Sequence, residues 1–186
     1  MELVRIRRLS TARVVARRLR RYNGVNVRAE RLVRKPHYLI RERGHLAGWI
    51  GYERCGRRSY EIVHMTVLPR FRRRGFAEEA TIEILEKLRL IRARRAYVRI
   101  RRGNRVPMHI ISQLGFRRTS RGKINIFRLN LARWAKAREA ERRSEPIGGD
   151  PMPATDSRPP LAETSPPSPD SDSHTVAAQL PIPDTH

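Results

Sequence analysis

The 186-residue chain contains a single cysteine, Cys55, few aromatic residues and no long run of apolar residues. A lone cysteine excludes an internal disulfide framework and argues against a zinc site built on cysteine. No stretch approaches the roughly 18 apolar residues that a spanning helix needs, so we predict no transmembrane helix. Aromatic residues make up only 6%, and no recognised nucleic-acid-binding motif interleaves them with the basic ones.

Acidic residues are scarce relative to basic ones: 18 Asp and Glu stand against 41 Lys and Arg, a formal net charge of +23. Of the basic residues, 37 are Arg and 4 are Lys. Such a charge is typical of a protein that binds nucleic acid or another polyanion, although genome composition also produces an Arg-over-Lys bias. Hydrophobic residues make up 39%, which is enough for one core. We therefore expect one folded domain and an additional segment.

The additional segment begins near Ser144. Residues 144–186 hold ten of the thirteen prolines, many Ser and Thr, seven acidic residues and one arginine. They cannot bury enough apolar surface to offset the entropy lost on ordering, so we predict a disordered Pro/Ser-rich acidic tail. The tail carries −6 and leaves +29 on the body of the chain. It either screens that body or is inert.

The N-terminal residues predict a strand over Leu3–Ile6 and then a helix that Ser10 caps. The same stretch is rich in Arg and nearly free of acid, which is also typical of a mitochondrial transit peptide. We favour the structural interpretation and a cytoplasmic protein, because the rest of the predicted domain uses that helix. The apolar residues of the helix are Val14, Val15, Leu19 and Tyr22.

The middle of the chain alternates as short strands with a glycine at each turn, and then changes to the period of a helix. The predicted strands are Tyr38–Arg43, Leu46–Arg54 and Tyr60–Leu68, which indicates an antiparallel meander. Glu78 and Glu79 lie in the first turn of the helix that follows. Its apolar face is formed by Ala77, Thr81, Ile84, Leu85, Leu88 and Ile91.

A further strand, a short helix and a closing hairpin complete the pattern. The whole order predicts an α/β domain over residues 1–131, with a mixed, mostly antiparallel sheet and flanking helices. Residues 132–143 form either a charged terminal helix or a lead into the tail. The strand covers Ala96–Ile100, the helix has Pro107 near its start and Gly115 just past its end, and the hairpin joins residues 116–118 to 124–131.

The segment most informative about chemistry is the turn between the third strand of the meander and the long helix. The first turn of a helix has unpaired N–H groups and a positive dipole end, so this turn is a natural anion site. Gly75 lets the backbone approach the anion closely, and Arg72, Arg73 and Arg74 add positive charge. A pyrophosphate is the natural ligand, although a solvated basic turn has the same local sequence.

Two motifs, in this order, resemble the GNAT superfamily of acyl-CoA-dependent N-acetyltransferases. The pyrophosphate loop of that family has the form Gln/Arg-x-x-Gly-x-Gly/Ala. Residues 72–77 match it as Arg-Arg-Arg-Gly-Phe-Ala, after a Val-x-Pro at residues 67–69. Downstream, Asn104 and a Leu-Gly-Phe at residues 114–116 match a second family element. The resemblance covers residues 38–131 well and the preceding strand and helix by position only.

The resemblance implies a sheet whose fourth and fifth strands splay apart to form a cleft for acetyl-CoA. The backbone of Met65, Thr66 and Val67 would pair with the pantetheine arm, and the Val67 amide would donate to the oxyanion. Transfer would be direct, from the thioester to a bound amine, without a metal. The other residues that would hold the cofactor are Arg72, Arg73, Arg74, Gly75, Phe76, Ala77 and Asn104.

An acceptor ammonium must lose a proton before it attacks, which requires a base near the cleft. Glu61 lies eleven positions before Arg72, where histone-acetylating members of the family carry a general-base Glu on the fourth strand. Strict alternation places Glu61 on the strand face of Val63, Met65 and Val67, so it can point into the same cleft. The alternative is a surface Glu paired with one of the many arginines; we favour the catalytic role.

The chain departs from the family pattern in two places. Members similar to the ribosomal-protein alanine acetyltransferase carry a Glu on the fifth strand, where this chain has Arg99. Many members also have a Tyr that protonates the departing CoA thiolate, and here Ile111 replaces it and cannot donate a proton. His64 and His109 are nearby in sequence, but an isolated histidine is more often a packing or surface residue, so neither is assigned a role.

The predicted function is acetyl transfer from acetyl-CoA to a primary amine of a small molecule or protein. The alternatives are a basic nucleic-acid-binding protein and an acyl-CoA-binding domain without turnover, and an arginine-rich surface would allow the enzyme itself to contact nucleic acid or ribonucleoprotein. We predict no membrane partner. The basic body repels polyamines and histone tails unless the cleft is locally acidic. Glu42, Glu53 and Glu61 lie on the strands that could line such a cleft.

Overall fold

The computed structural model describes residues 1–144. Its strands are β1 (Glu2–Arg5), β2 (His37–Glu42), β3 (His45–Gly56), β4 (Ser59–Val67), β5 (Arg95–Arg101), β6 (Arg117–Ser120) and β7 (Ile124–Asn130). Its helices are α1 (Leu9–Asn23), α2 (Ala29–Arg34), α3 (Phe76–Leu90), α4 (Arg105–Gln113) and α5 (Leu131–Ser144). The strands form one sheet in the order β1-β2-β3-β4-β5-β7-β6, antiparallel throughout except between β4 and β5. The predicted α/β fold is confirmed.

Helix α1 buries one face and ends close to the middle of the sheet. Val15 and Leu19 are buried as predicted, but Val14 and Tyr22 are substantially exposed. The predicted cap at Ser10 is wrong: the short connection from β1 lets the helix begin at Leu9, and Ser10 falls in its first turn. At the other end Gly24 takes the left-handed conformation, and its N–H bonds to the Arg20 carbonyl. Helix α2, which the sequence pattern did not predict, follows.

Helix α3 covers the other face of the sheet. Its predicted apolar stripe is buried except for its two ends, Ala77, which is half-buried, and Ile91, which lies just past the helix and is exposed. Lys87 extends over the ring of Tyr38 on β2, which fixes the face of the sheet that α3 covers. Tyr22 of α1 packs instead on Trp49, which lies on the opposite face of the sheet from Tyr38, so α1 and α3 cover opposite faces.

The parallel pair β4 and β5 opens partway along its length. The two strands are paired from Ser59 and Arg95 to Ile62 and Val98, and no pairing continues beyond that point. The later residues of β4 remain paired with β3 on their other side. The predicted splaying of the central strands is confirmed, and it creates a gap in the middle of the sheet.

A β-bulge in β4 lies just where the gap begins. Two residues of β4, His64 and Met65, occupy the space opposite one residue of β3, and His64 has a left-handed φ of 60°. The extra residue shifts the alternation of β4. The predicted face shared by Glu61 and Val67 is therefore wrong, because the register puts Thr66, not Val67, on the face of Glu61.

Residues 132–143 belong to α5. Of the two alternatives for this segment, the structure therefore contains the terminal helix. The Asn130 side chain accepts hydrogen bonds from the first N–H groups of α5, and Leu131 and Trp134 are buried. Ser144, predicted as the first residue of the tail, ends this helix, and the rest of the predicted tail lies outside the described residues. Within residues 1–144 no helix is both long and apolar enough to cross a membrane.

Candidate active site in the cleft between β4 and β5

The gap in the sheet is a cleft of about 520 Å³. Its walls come from the end of α1, from β4 and β5, and from the facing parts of α3 and α4. The lining is mainly apolar, and its polar side chains come from Tyr22, Asn23, Glu61, His64, Thr81, Arg99, Arg101 and Asn104. Of the predicted site residues outside the basic loop, the structure brings Glu61, Met65 and Asn104 together in this cleft.

The basic loop leads from β4 into α3, close to the cleft. A short 3-10 turn ends at Phe71, and Gly75 then precedes α3 in the left-handed conformation, with φ of 77°. The Gly75 carbonyl accepts the first helical bond, from the Glu79 N–H at 3.1 Å. Within residues 1–144 no hydrogen bond uses the N–H groups from Arg73 to Ala77. Unused consecutive amides at a helix start are the feature that anion sites share, and the binding of a pyrophosphate here stays a prediction.

The three arginines of the loop have different environments. Arg72 donates from Nε to the Val67 carbonyl at 3.2 Å, which ties the loop to the end of β4. The Arg74 guanidinium lies 5.1 Å from the centre of the Phe76 ring. Arg73 is exposed and has a left-handed φ of 59°. Such a conformation is costly for a residue with a side chain, and strained backbone of this kind is often found at ligand-binding loops.

The register of β4 determines the direction of the Val67 amide. The Leu68 N–H donates to the Ala47 carbonyl on β3 at 2.8 Å. Because hydrogen-bonded and non-bonded pairs alternate between antiparallel strands, the adjacent pair, Gly48 and Val67, turns its backbone groups away from the partner strand. The Val67 carbonyl is accordingly directed to Arg72 and away from β3. The Val67 N–H therefore lies on the side of β4 from which β5 has separated.

Asn104 and Ile111 both line the cleft, from the start and the end of α4. Asn104 holds the N-cap position, yet its side chain makes no capping hydrogen bond. Its amide is thus not used to begin the helix, and its contact with the cofactor stays a prediction. Ile111 is 6% exposed and supplies only hydrocarbon at the position where the family Tyr was expected.

Glu61 enters the cleft from β4, and its carboxylate lies 3.3 Å from the Arg99 guanidinium on β5. Burial raises the pKa of Glu61 above its ordinary value, and Arg99 opposes that rise. Both of the interpretations made from sequence thus describe part of the site, because Glu61 is a cleft residue and also an ion-pair partner. Glu42 and Glu53 do not line this cleft: Glu42 lies 3.5 Å from the N-terminal amine and Glu53 pairs with Arg31.

Two histidines meet behind the cleft. His64, at the bulge, lines the cleft, and its Nδ1 is 2.9 Å from Nε2 of His37 on β2. The His37 side chain is fully enclosed, and burial lowers its pKa to about 4. Burial also lowers the pKa of His64. Both imidazoles are therefore neutral at pH 7, so the cleft contains an uncharged imidazole beside a carboxylate.

Sequence reasoning missed the contribution of α1 to the cleft and did not assign a role to His64. Asn23 accepts a hydrogen bond from the Thr66 hydroxyl at 2.9 Å, which joins the end of α1 to β4. The Asn-Gly pair at residues 23–24 signalled that a helix ends there, but not which strand it would meet. His64 carried no local signal, because its partner is 27 positions away along the chain.

A mixed, mostly antiparallel sheet whose central strands separate, followed by a glycine-containing loop at the start of a long helix, is the fold of the N-acetyltransferase class. Residues 8–116 match the model of the acetyltransferase (GNAT) family. The chain belongs to this family, and the resemblance found in the sequence is confirmed. Membership supports acyl-CoA-dependent N-acetyl transfer as the general class of reaction. A comparison with curated proteins finds no match.

Solved structures show the same fold at low sequence identity. A spermidine N-acetyltransferase chimera from Vibrio cholerae aligns with a TM-score of 0.61 at 12% identity, over 73% of this chain and 99% of that one. An N-acetyltransferase from Thermoplasma acidophilum, solved with coenzyme A, aligns with a TM-score of 0.57 at 15% identity, over 69% and 98%. A ribosomal-protein-alanine N-acetyltransferase from Brucella melitensis gives 0.56 at 13%, over 70% and 99%.

Within residues 1–144 no group of three or more His, Cys, Asp or Glu side chains is arranged to hold a metal ion.

Proposed function

We propose that the protein transfers the acetyl group of acetyl-CoA directly to a primary amine. The pyrophosphate of the cofactor binds the amides from Arg73 to Ala77, and the pantetheine arm adds to the open side of β4 at Met65, Thr66 and Val67. Asn104 contacts the cofactor from α4. The proposal rests most heavily on one observation: the Val67 N–H faces the side of β4 from which β5 has separated, and the run of unused amides ends at Ala77, which lines the cleft.

The chemistry assigned to the cleft has two parts. Glu61, whose pKa is raised by burial, accepts a proton from the acceptor ammonium and releases the neutral amine. The amine then attacks the thioester carbonyl, and the Val67 N–H donates to the oxygen as negative charge develops on it. The attacking nitrogen then loses a second proton as the tetrahedral intermediate collapses and the C–S bond breaks. That proton ends on the CoA sulfur, so the products are the amide and free CoA.

The charge of the cleft bears on the acceptor. Among residues 1–144 the only carboxylate that lines it is Glu61, and Arg99 already pairs with that group while Arg101 adds a further positive charge. A polycation would therefore meet a net positive cleft on a strongly basic body. We propose an acceptor with a single amine on an otherwise uncharged or acidic molecule.

Acetyl-CoA carrying a labelled acetyl group tests this function directly. We expect the cofactor to raise the melting temperature of the protein, and label to enter amide products when the enzyme is mixed with a cell extract. Mass spectrometry of the products identifies the acceptor, and added spermidine should remain largely unmodified. A protein whose melting temperature does not change with acetyl-CoA would not be an acetyltransferase. A change without label incorporation would indicate a binding domain without turnover.

A second candidate function, nucleic-acid binding, is favoured by a second arginine-lined surface. A groove of about 750 Å³ lies between the β5–β7–β6 edge of the sheet and α5. Two of its arginines, Arg117 and Arg128, are directly opposite each other on neighbouring strands, which is unfavourable without an anion. Glu78 and Glu141 offset part of this charge. The arginines lining the groove are Arg95, Arg117, Arg128, Arg133 and Arg138.

Retention of the protein on immobilised RNA or double-stranded DNA, measured across a salt gradient, tests this candidate. If phosphates occupy the groove, affinity should fall by about 10²-fold between 50 and 200 mM salt, because several counterions are released on binding. Replacing Arg117 and Arg128 with Gln should reduce the salt slope, and replacing the exposed Arg13 and Arg17 on α1 serves as the charge-matched control. If RNA and DNA show no electrophoretic shift with the protein at low salt, nucleic-acid binding is excluded.

A further inference from the structure

His64 is held in a strained position that its local sequence does not require. Its φ of 60° is rare for a residue with a side chain and is energetically unfavourable. This conformation directs Nδ1 to His37, which lies across β3 on β2. The two ring planes are inclined by only 24° and their centroids are 5.2 Å apart, so the rings meet edge to edge along this hydrogen bond. Strand β3 runs between the two histidines and has a glycine, Gly51, beside the His37 ring. A Cβ atom at this position would lie 2.3 Å from that ring. The packing of three strands therefore accommodates this pair.

The hydrogen bonds of the pair determine which nitrogens carry protons. His37 Nδ1 lies 3.3 Å from the Lys35 carbonyl, which can only accept, so His37 is protonated on Nδ1. A neutral His37 then has a lone pair on Nε2, and His64 must donate to it from Nδ1. The same reasoning leaves the lone pair of a neutral His64 on Nε2. Within residues 1–144 no hydrogen bond uses that nitrogen, and His64 lines the cleft.

The charged groups around the pair keep it neutral but allow it to accept a proton. Burial lowers the pKa of both rings. The positive charge of Arg5 also lowers the pKa of His37, and that of Arg31 lowers the pKa of His64. Glu53 on β3 acts in the opposite direction and is itself held by two hydrogen bonds from Arg31 on α2. Because an imidazolium at His64 would keep its Nδ1 donor bond to His37, protonation on Nε2 disturbs no existing contact.

We infer that His64 transfers a proton during the acetyl-transfer step, and that His37 is the positioning residue that holds its Nε2 ready to accept. The inference rests on the proposed function and supplies the acid that Ile111 does not. As the new N–C bond forms and the C–S bond breaks, Nε2 accepts a proton from the attacking nitrogen. The resulting imidazolium gives that proton to the CoA thiolate, so the products are the amide and the free thiol. Glu61 has already taken the extra proton of the ammonium.

Nitrogen-15 NMR of the full-length protein tests the geometry without an acceptor. At pH 7 we expect both His37 and His64 as the Nδ1–H tautomer, the less common form in water, with resonances assigned by comparison with single variants. An Nε2–H tautomer at His64, or a charged imidazole, would overturn the inference.

The kinetic test uses His64→Gly, because glycine accepts a φ of 60° without strain and leaves space for a small base. With labelled acetyl-CoA and cell extract, this variant should incorporate label about 10²-fold more slowly. Its melting-temperature change with acetyl-CoA should be unchanged, and added imidazole should restore much of the rate. His37→Gln, which keeps an acceptor for Nδ1–H, should be faster than His37→Leu. The exposed His109 provides the control, as His109→Ala.

The outcomes separate the two proposals. An active wild type with a full-rate His64→Gly variant overturns the role of His64 and leaves the acetyltransferase function intact. A slow variant that imidazole does not rescue assigns His64 a structural role and also overturns the inference. A wild type that neither binds acetyl-CoA nor incorporates label overturns the proposed function itself.

Discussion

Replacing Gly75 with Glu is expected to abolish the rise in melting temperature that acetyl-CoA produces. The new carboxylate would stand among amides that have no hydrogen bond within the described residues and would repel the pyrophosphate. Loss of even two hydrogen bonds to a charged group, at roughly 1.5–3 kcal/mol each, weakens binding by at least about 100-fold. Thermal unfolding with and without acetyl-CoA, or calorimetric titration, measures the effect.

The chain offers a matched control for this change. Gly44, in the turn between β2 and β3, has φ of 78° against 77° for Gly75, and an added Cβ meets no atom within 4 Å at either position. Gly44→Glu therefore imposes the same strain and the same charge away from the loop, and should leave the acetyl-CoA effect intact. Gly75→Asn, which tolerates a left-handed φ without adding charge, should retain most of the binding. Equal loss in Gly75→Glu and Gly44→Glu would contradict the assignment of the loop.

Replacing Glu61 with Gln should lower the rate of acetyl transfer by about 10²-fold at pH 7 while leaving acetyl-CoA affinity unchanged. Without a base the amine must arrive already neutral. The neutral fraction of a primary amine with a pKa near that of Lys falls roughly tenfold for each pH unit below that pKa. The variant should therefore be slowest relative to wild type at low pH, and approach it as the pH rises. The measurement is kcat/KM against pH for the acceptor that mass spectrometry identifies.

The pH dependence of the wild-type rate reflects the pKa of Glu61, which the ion pair with Arg99 influences. Burial raises the pKa of Glu61, and the group is active only when deprotonated, so the wild-type rate should fall as the pH falls through that raised pKa. Removing the positive charge with Arg99→Met should move this fall to higher pH, because Arg99 opposes the rise. Glu83→Gln, on the surface of α3, is the control. Equal rates for Glu61→Gln and wild type at every pH would remove Glu61 from the mechanism.

Local patterns were sufficient for most of the secondary structure and for the loop. The helical period of α3 and the change of period after Pro69 are short-range features, so its apolar stripe was predicted from the sequence. The prediction of the strand faces of β4 was wrong beyond the bulge, because a bulge depends on how β3 pairs with β4 and leaves no mark in the alternation of the sequence. The cap at Ser10 was wrong for a similar reason, since the position of β1 determines where α1 begins.

The sequence by itself determined the family and the conformation of the loop before α3, because Gly75 and the helix start after it lie only a few residues apart. It also determined that no tyrosine occupies the position of Ile111. Only the tertiary structure decided which polar side chains of the cleft contact one another. Glu61 on β4 pairs with Arg99 on β5, and His64 on β4 contacts His37 on β2, with β3 between them. Those contacts depend on strand order and register, which residues distant in the chain determine together and no local pattern records.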